Sequence, residues 1–335
     1  MHTRTLALIA ALALPSLIAA RLFPAQDAGA LILGEGEHRF EWVRNWGVLP
    51  EGVTFGNTNG CIVTDSAGRV YINTDSERAV IVFEADGRFV GTWGEDLAGG
   101  LHGMCVVEEA DGEFLYFTHT GRHMVAKATL EGELLWTLGY PEVSGIYASE
   151  NAYKPTSIAV AADGGFFVAD GYGKSWIHQY DRKRKYVRSF AGPGGEAGKT
   201  RTPHGLSMDL RGDEPLLLVS DRENNRLQWF DLSGEAVRTL EGGLRRPCHT
   251  DLFGDELVVA ELAGRVSLFD GEGELIARLG DNPDPSLRAN NGVPRERWAA
   301  GEFLAPHCVH FDAEGNVYVM DWNALGRISK LRRLD

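Results

Sequence analysis

Residues 203–240 read PHGLSMDLRGDEPLLLVSDRENNRLQWFDLSGEAVRTL and contain the repeating unit of the chain. An apolar strand-like run is followed by a turn with Asp and Gly, and a second β-rich run then ends at Asp221. After another turn, Arg226 and Leu227 precede alternating apolar residues. Short β-rich runs bounded by such turns predict consecutive antiparallel strands. We therefore expect one small sheet of four strands from this stretch.

The same unit occurs six times along the chain. The copies cover residues 59–93, 102–138, 155–190, 203–240, 249–279 and 306–331. Alignment of their first strands places the following residues at one position: Asn59, His102, Thr156, His204, His249 and His307. A period of about 40–50 residues with four short strands per unit is typical of a β-propeller. The sequence therefore predicts an all-β fold, a six-bladed β-propeller that forms one domain.

A strand near the N-terminus is expected to close this ring. The last repeat lacks a fourth strand, whereas residues 38–46 (HRFEWVRNW) alternate like a strand and belong to no repeat. We therefore expect this segment to complete the sixth blade. The propeller then covers residues 38–335, and residues 21–37 form a linker.

The first 20 residues have the pattern of an export signal. His2 and Arg4 precede an apolar stretch at 6–20, which is short compared with the about 20 residues of a membrane-spanning helix. The small residues Ala19 and Ala20 favour cleavage nearby, and an uncleaved membrane anchor is the alternative. We expect a secreted or periplasmic protein, which contacts a membrane only if this segment is retained.

Charge and cysteine content limit the partners and the covalent chemistry. The net charge is −14 and no basic stripe is visible, so the sequence argues against binding to nucleic acid. Cys61, Cys105, Cys248 and Cys308 form no CxxC or zinc-ribbon pattern. Because export permits disulfides, a bridge between Cys248 and Cys308 is conceivable, and buried free thiols are the alternative.

Four aligned histidines form the candidate metal site. His102, His204, His249 and His307 open first strands, and first strands line the axis of a propeller. Imidazole is a common ligand of divalent metals, so their convergence predicts a bound ion, and a polar water-filled channel is the alternative. Zinc is the favoured metal, with iron or copper as alternatives. Three ligands would leave an open coordination position for water or substrate.

The ends of the second strands are expected to share a rim with the histidines. The residues at these ends are Asp75, His119, Asp170, Asp221, Glu261 and Asp321. Asp221 and Asp321 are interpreted as caps of the following turns. Three long insertions, at residues 140–153, 191–202 and 280–304, project to the same face. Because long loops gathered on one face often carry function, we expect the functional site there.

The motifs resemble two known families. The run Asp221-Arg222-Glu223-Asn224-Asn225-Arg226-Leu227 is similar to the repeat of NHL propellers. Most of the chain resembles peptidyl-α-hydroxyglycine α-amidating lyase through Lys154-Pro155-Thr156, Asp170-Gly171-Tyr172, Pro203-His204, Asp221-Arg222-Glu223-Asn224 and Pro306-His307. This resemblance implies zinc on His102, His204 and His307. It also implies that Tyr172 is the base for C–N cleavage of a carbinolamide. A phenol needs a nearby cation to act as a base near pH 7, and Lys154 and Arg222 are the candidates.

Several positions depart from the lyase pattern. Where that family has an arginine, at the end of a second strand in the first blade, this chain reads Asn73-Thr74-Asp75. Cys308 replaces an aspartate linked to a structural calcium, Ala305 replaces a methionine, and His249 has no family counterpart. These departures predict a relative with an altered substrate.

Three functions are compatible with these patterns. The favoured one is an extracytoplasmic metal-dependent lyase or hydrolase that acts on a small polar or peptide-like molecule. A non-enzymatic NHL propeller that binds a ligand or a protein through its loop-rich face is the second. The third is an oxidoreductase with iron or copper bound by the histidines.

Overall fold

The strands form six antiparallel sheets, one for each repeat predicted from the sequence. The computed structural model describes residues 29–334, and residues 31–334 belong to one compact unit. Within the described residues there are 25 strands and six short 3-10 helices, and there is no α-helix. The predicted all-β, six-bladed β-propeller is therefore confirmed. Residues 1–20, the predicted export signal, lie outside the described part of the chain.

The first three blades each consist of four strands in chain order. Blade 1 contains β3 (Ile62–Thr64), β4 (Val70–Asn73), β5 (Val80–Phe83) and β6 (Phe89–Trp93). Blade 2 contains β7 (Leu101–Glu109), β8 (Gly112–His119), β9 (Met124–Thr129) and β10 (Leu134–Leu138). Blade 3 contains β11 (Ser157–Val160), β12 (Phe166–Ala169), β13 (Ile177–Tyr180) and β14 (Tyr186–Phe190).

Blades 4 and 5 repeat this order, and blade 6 combines strands from both ends of the chain. Blade 4 contains β15 (Pro203–Asp209), β16 (Leu216–Asp221), β17 (Arg226–Phe230) and β18 (Ala236–Glu241). Blade 5 contains β19 (Pro247–Phe253), β20 (Glu256–Glu261), β21 (Arg265–Phe269) and β22 (Leu275–Leu279). Blade 6 contains β23 (Pro306–Phe311), β24 (Val317–Asp321), β25 (Arg327–Leu334), β2 (His38–Val43) and β1 (Ile32–Glu35).

The first strands of the blades form a closed ring around the axis. Each of them contacts the first strand of the next blade, in the order β3, β7, β11, β15, β19, β23 and back to β3. Side chains at equivalent positions of these six strands can therefore meet at the centre of the molecule. The register of the first strands therefore determines which side chains point toward the axis.

The N-terminal strand closes the ring as predicted. Strand β2 pairs antiparallel with β25, and Trp42 lies opposite Leu331. The structure differs in one respect, because residues 32–35, assigned to the linker from the sequence, form the additional outer strand β1. A two-residue turn joins β1 to β2, and Gly36 adopts a φ of 58° at its first position. Such tight turns favour glycine and allow the hairpin to form.

Hydrophobic side chains fill the wedges between blades. Trp46 packs against Phe83 of blade 1 and Tyr318 of blade 6, with ring centroids 5.3 and 5.1 Å apart. Each large side chain buried in this way stabilises the fold by about 1.5–3 kcal/mol. Among residues 29–334, no helix is long and apolar enough to cross a membrane.

Candidate metal centre on the propeller axis

Three of the four predicted histidines converge on the axis. His102, His204 and His307 each contribute one ring nitrogen to a group whose atoms lie within 4.8 Å of one another. Their ring centroids are 4.6–4.9 Å apart, and their exposed fractions are only 2–3%. They come from blades 2, 4 and 6, so the site has an approximate threefold arrangement built from alternate blades.

Each histidine is oriented by the blade that follows it in the ring. Nδ1 of His102 lies 2.6 Å from the carbonyl oxygen of Thr156, and Nδ1 of His204 lies 2.9 Å from that of Cys248. Nδ1 of His307 lies 2.9 Å from the carbonyl oxygen of Gly60. Because a carbonyl oxygen only accepts hydrogen bonds, each Nδ1 carries the proton and each Nε2 presents a lone pair. Histidine ligands in metal sites are commonly oriented in this way, by a hydrogen bond from the ring nitrogen that does not bind the metal.

The electrostatic state of the site suits a cation. Burial lowers the pKa of His102 to about 4, and it lowers the pKa values of His204 and His307 well below the usual range. All three imidazoles are therefore neutral near pH 7. Nε2 of His307 is buried and has no hydrogen-bond partner among the described residues. Three converging lone pairs, one of them without a donor, fit a divalent metal such as zinc.

The structure does not place His249 in this group. In blade 4, Pro203 pairs with Asp221 at the end of the second strand, and His204 follows it. In blade 5, Pro247 pairs with Glu261 in the same way, so Cys248 is the residue equivalent to His204 and His307. His249 is one residue further along the strand, and its Nε2 lies 3.6 Å from Sγ of Cys61. The alignment was therefore shifted by one residue in blade 5, and a one-residue shift changes the direction of a strand side chain.

Tyr172 reaches the same centre from the predicted turn. Its hydroxyl lies 2.8 Å from Nε2 of His204 and 3.3 Å from Nε2 of His102. The carboxylate of Asp170 fixes this turn, because it accepts hydrogen bonds from the backbone N–H groups of Lys154 and Lys174 at 2.7 and 2.6 Å. Asp170 thus fixes both the turn that carries Tyr172 and the segment that leads into the first strand of blade 3.

Glycine is required in the turn that carries Tyr172. A Cβ at Gly171 would lie 2.4 Å from the carbonyl oxygen of Pro203 and 2.6 Å from Oγ1 of Thr156. Any side chain there would force the turn away from the neighbouring first strand. The motif Asp-Gly-Tyr therefore combines an anchor, a close approach and a hydroxyl group directed at the axis.

One of the two predicted cations lies beside Tyr172. Nη1 of Arg222 is 3.3 Å from the Tyr172 hydroxyl, and the guanidinium carbon is 5.3 Å from the ring centroid. Burial raises the pKa of Tyr172, and the positive charge of Arg222 opposes this rise. Glu223 holds Arg222 through Nε at 3.0 Å. By contrast, the Lys154 side chain is exposed, and its ammonium group makes no hydrogen bond or ion pair within residues 29–334.

Two further residues at the site were not assigned from the sequence. The buried thiol of Cys248 faces Arg222, which partly offsets the rise that burial causes in the thiol pKa. Asn73 is buried in blade 1, and its side-chain amide donates to the carbonyl oxygen of His102 at 2.9 Å. Alignment of Pro247-Cys248 with the other Pro-His pairs could have identified Cys248 from the sequence. The departure from the family pattern at Asn73-Thr74-Asp75 could have identified Asn73.

The acidic strand ends anchor the long insertions on this face. Tyr147 in the first insertion donates to Asp170 at 2.6 Å. The backbone N–H of Arg201 donates to Asp221 at 2.7 Å, and that of Leu304 donates to Asp321 at 2.9 Å. Asp221 and Asp321 thus have a structural role, but they mainly hold the insertion that precedes their blade, and of the following turns that of Asp221 is capped, by Asn224 Nδ2 at 2.8 Å. The three insertions lie on the face at which the histidines begin their strands.

The cysteine pairing differs from the conceivable bridge between Cys248 and Cys308. The structure has a disulfide between Cys61 and Cys308, and Cys105 and Cys248 are free. Cys308 directly follows His307, whereas Cys248 occupies the histidine position of its own blade. Cys61 and Cys308 thus lie at equivalent positions of the neighbouring blades 1 and 6. Cys248 lies one residue before the equivalent position in blade 5.

Fold and site together define a six-bladed β-propeller with a buried three-histidine centre on its axis. No family model matches the chain. Its sequence is 29% identical to peptidyl-alpha-hydroxyglycine alpha-amidating lyase 1 of Drosophila melanogaster over 280 residues, which is 76% of this chain and 48% of the relative. The match to lyase 2 of the same organism is 28% identical and covers 73% of this chain and 58% of the relative.

A third relative extends the same resemblance. Peptidyl-glycine alpha-amidating monooxygenase B of Xenopus laevis is 30% identical over 67% of this chain and 25% of its own length. The chain thus spans about half the length of the two Drosophila lyases and a quarter of the Xenopus protein. The predicted resemblance to amidating lyases is confirmed by these similarities.

Solved structures support the fold. A streptogramin B lyase superposes with a TM-score of 0.57 at 16% identity and covers 84% of this chain and 96% of its own. A virginiamycin B lyase of Staphylococcus aureus superposes with a TM-score of 0.53 at 14% identity, covering 89% and 88%. At such low identity these similarities concern the propeller fold alone.

Proposed function

We propose that this protein is an extracytoplasmic metal-dependent lyase that cleaves a C–N bond at a hydroxylated carbon. The observation that carries the proposal is the convergence of three Nε2 lone pairs with the Tyr172 hydroxyl, which lies 2.8 Å from Nε2 of His204. Similarity to amidating lyases supports the reaction type. The substrate is a small polar or peptide-like molecule that contains a carbinolamide, and the departure at Asn73-Thr74-Asp75 leads us to expect a different preference for the group attached to it.

His102, His204 and His307 are the residues that would hold the metal. A divalent ion there supplies Lewis-acid chemistry, which polarises a substrate oxygen and lowers the pKa of a hydroxyl group. Zinc fits the three neutral nitrogen ligands, and it keeps an open position when only three protein ligands bind it. Iron or copper would also accept these ligands.

Tyr172, assisted by Arg222, accepts the proton of the substrate hydroxyl and later donates it to the leaving nitrogen. In the observed arrangement the phenol donates to a histidine nitrogen, and Arg222 donates to the phenol oxygen at 3.3 Å. Arg222 thereby favours the phenolate, which can accept the proton of a substrate hydroxyl at Oη. Once that proton is lost, an oxygen lone pair forms the C=O bond as the C–N bond breaks, and the amide nitrogen leaves with the electrons of the C–N bond. The phenol then returns the proton to the leaving nitrogen.

An assay on a simple carbinolamide tests the proposal. Purified protein supplied with zinc is incubated with an N-acylated α-hydroxyglycine, and both glyoxylate and the primary amide are measured. We expect equal amounts of the two products, and we expect His204→Ala to abolish their formation. His38→Ala is the matched control, because His38 lies on β2 in the outer part of blade 6. Stoichiometric zinc without either product would contradict the lyase proposal.

Location is a separate part of the proposal. The pattern of residues 1–20 supports export to the periplasm or to the medium, with membrane attachment only if the segment is retained. Cell fractionation, followed by N-terminal sequencing of the recovered protein, tests it. A protein that remains in the cytoplasm with its first 20 residues intact would contradict export.

A further inference from the structure

A second group of metal-ligand side chains lies one residue beyond the three-histidine centre. His249 and Cys308 follow Cys248 and His307 on the first strands of blades 5 and 6, and Cys61 follows Gly60 directly before the first strand of the adjacent blade 1. One sulfur or nitrogen atom from each lies within 4.8 Å of the other two. Both cysteines are buried, and His249 is partly buried. The axis therefore carries two consecutive layers of potential ligands.

The imidazole of His249 is oriented as the other three are. Its Nδ1 lies 3.0 Å from the carbonyl oxygen of Val309 and therefore carries the proton. Nε2 consequently presents a lone pair, which faces Sγ of Cys61 at 3.6 Å. A disulfide sulfur has no proton to donate, so this lone pair lacks a donor while Cys61 is bridged to Cys308. A thiol or a metal ion would satisfy it.

One backbone donor points at the sulfur atoms. The backbone N–H of Ile62 donates to Sγ of Cys308 at 3.3 Å. Hydrogen bonds to a metal-bound sulfur stabilise its negative charge and tune the site. Two sulfur ligands and one imidazole form a set that selects thiophilic ions such as Zn²⁺ and Cu⁺ over Mg²⁺ or Ca²⁺.

A cavity further along the first strands borders this layer at His249. This cavity of about 240 Å³ is lined by residues further along the first strands, including Met104, Leu206, His249, Asp251 and His310. His249 thus separates the sulfur atoms from this cavity. None of the three histidines of the axial centre lines this cavity, so the layer has a neighbouring cavity of its own, and a movement of the His249 imidazole would connect the two.

We propose that Cys61, Cys308 and His249 form a second metal site, which takes Zn²⁺ or Cu⁺ only when the disulfide is reduced. A dithiol reduces the bridge to two cysteine thiols and is itself oxidised to a cyclic disulfide. The two thiols then release two protons as the ion binds both sulfurs and Nε2 of His249. Disulfide and metal are mutually exclusive states of the same two cysteines.

This switch is directly linked to the three-histidine centre. Cys308 follows His307 in β23, and Cys61 follows Gly60, whose carbonyl oxygen orients His307. Exchange of the bridge for a metal ion therefore alters the segment that holds one histidine ligand. The inference does not depend on the reaction proposed above, because it concerns metal uptake alone.

Cobalt uptake by the folded protein tests the proposal, with Co²⁺ alone as the probe. Thiol counting before and after treatment with a dithiol should show a rise from two free cysteines to four. After removal of the reductant, the reduced protein should bind one further Co²⁺ ion per chain and should develop a thiolate-to-cobalt charge-transfer band. The oxidised protein should show neither change.

Variants separate this layer from the other ligands. The charge-transfer band should disappear in Cys308→Ser and weaken in His249→Ala, and it should persist in Cys105→Ser and in His204→Ala. Near-ultraviolet circular dichroism checks that each variant is folded, and the comparison of oxidised with reduced wild-type protein needs no variant. A bridge that resists the dithiol, equal cobalt uptake in both redox states, or a band that survives in Cys308→Ser would overturn the proposal.

Discussion

The Tyr172 hydroxyl and Nε2 of His204 lie 2.8 Å apart. Because Nδ1 of His204 carries its proton toward the carbonyl oxygen of Cys248, the phenol is the donor in this contact. A cation that takes the histidine lone pair removes the acceptor of the phenol proton. Metal binding and the protonation state of Tyr172 are therefore coupled, and the following experiments make use of this coupling.

Replacement of Tyr172 by phenylalanine should remove the proton acceptor and leave the ligands in place. We expect kcat to fall about 10²–10⁴-fold, the usual contribution of a general acid or base, while zinc content stays unchanged. Tyr180→Phe is the matched control, because the Tyr180 hydroxyl is buried and has no hydrogen-bond partner within residues 29–334. Steady-state kinetics and metal analysis check both variants. An active Tyr172→Phe variant would exclude the phenol from the chemistry.

Removal of the Arg222 charge should shift the pH profile. Arg222→Met removes the main charge that opposes the effect of burial on the Tyr172 pKa, so this pKa rises further. Because the phenolate is the active form, the rise of kcat with pH should move to higher pH. Lys154→Met should leave the profile unchanged, since that side chain is exposed and makes no hydrogen bond with the phenol, whose partners are His102, His204 and Arg222. The same shift in both variants would contradict the assignment of Arg222.

Chelation should destabilise the wild-type protein through loss of the metal. An ion present at 100 times its dissociation constant stabilises the folded state by about 2.7 kcal/mol. We expect differential scanning fluorimetry to show a lower Tm after chelation, and we expect no effect of the chelator on His204→Ala. In the oxidised protein, His249→Ala should keep the wild-type response, because His249 lies outside the three-histidine group. A chelator-sensitive His204→Ala variant would be incompatible with this centre.

Acid should destabilise the fold partly through His178. Burial lowers the pKa of this residue to about 3, whereas an unfolded histidine titrates near ~6.5. Between these values the unfolded state binds the proton and the folded state does not. The free energy of unfolding therefore falls by about 1.4 kcal/mol per pH unit for this group as pH decreases.

Urea titrations of His178→Asn at constant metal concentration test this dependence. The variant should be less stable at pH 7, because His178 bonds the hydroxyls of Tyr147 and Ser189 at 2.7 Å each. Its stability should nevertheless depend less steeply on pH between 6 and 4. A slope equal to that of the wild type would show that His178 does not resist protonation.

Ring closure should depend on the inner of the two N-terminal strands. Phe40 in β2 is fully buried, so Phe40→Ala should cost about 3–5 kcal/mol of unfolding free energy. Ile32 in the outer strand β1 is 39% exposed, and Ile32→Ala should cost much less. Chemical denaturation compares the two variants. Equal losses would mean that β1 contributes as much to closure as β2 does.

The repeats allowed most of the fold to be predicted, because each unit carries its own strand and turn signals. The closing strand could be found since the sixth repeat was one strand short. Strand β1 was missed, because it belongs to no repeat and its pairing depends on the turn at Gly36. The periodicity of the sequence thus predicts strands that recur in every repeat, but it does not predict a strand that occurs only once, such as β1.

Within the site, the error came from one residue of register. Pro247-Cys248-His249 can be aligned by its histidine or by its proline, and both alignments give an apolar strand. Only the pairing of Pro247 with Glu261 decides that Cys248 is the equivalent of His204. The cysteine pairing depended on the same register, so the bridge from Cys61 to Cys308 could not be predicted from spacing.

Orientation of each histidine by the following blade has a consequence for how such a centre can change in evolution. Blades 2, 4 and 6 supply the imidazoles, and blades 3, 5 and 1 supply the carbonyl oxygens that hold them. The working unit is therefore a pair of blades. Gain or loss of a single blade would give the ring an odd number and place two like blades side by side. A duplication or deletion that preserves the alternation of imidazole and carbonyl blades must therefore add or remove a pair of blades.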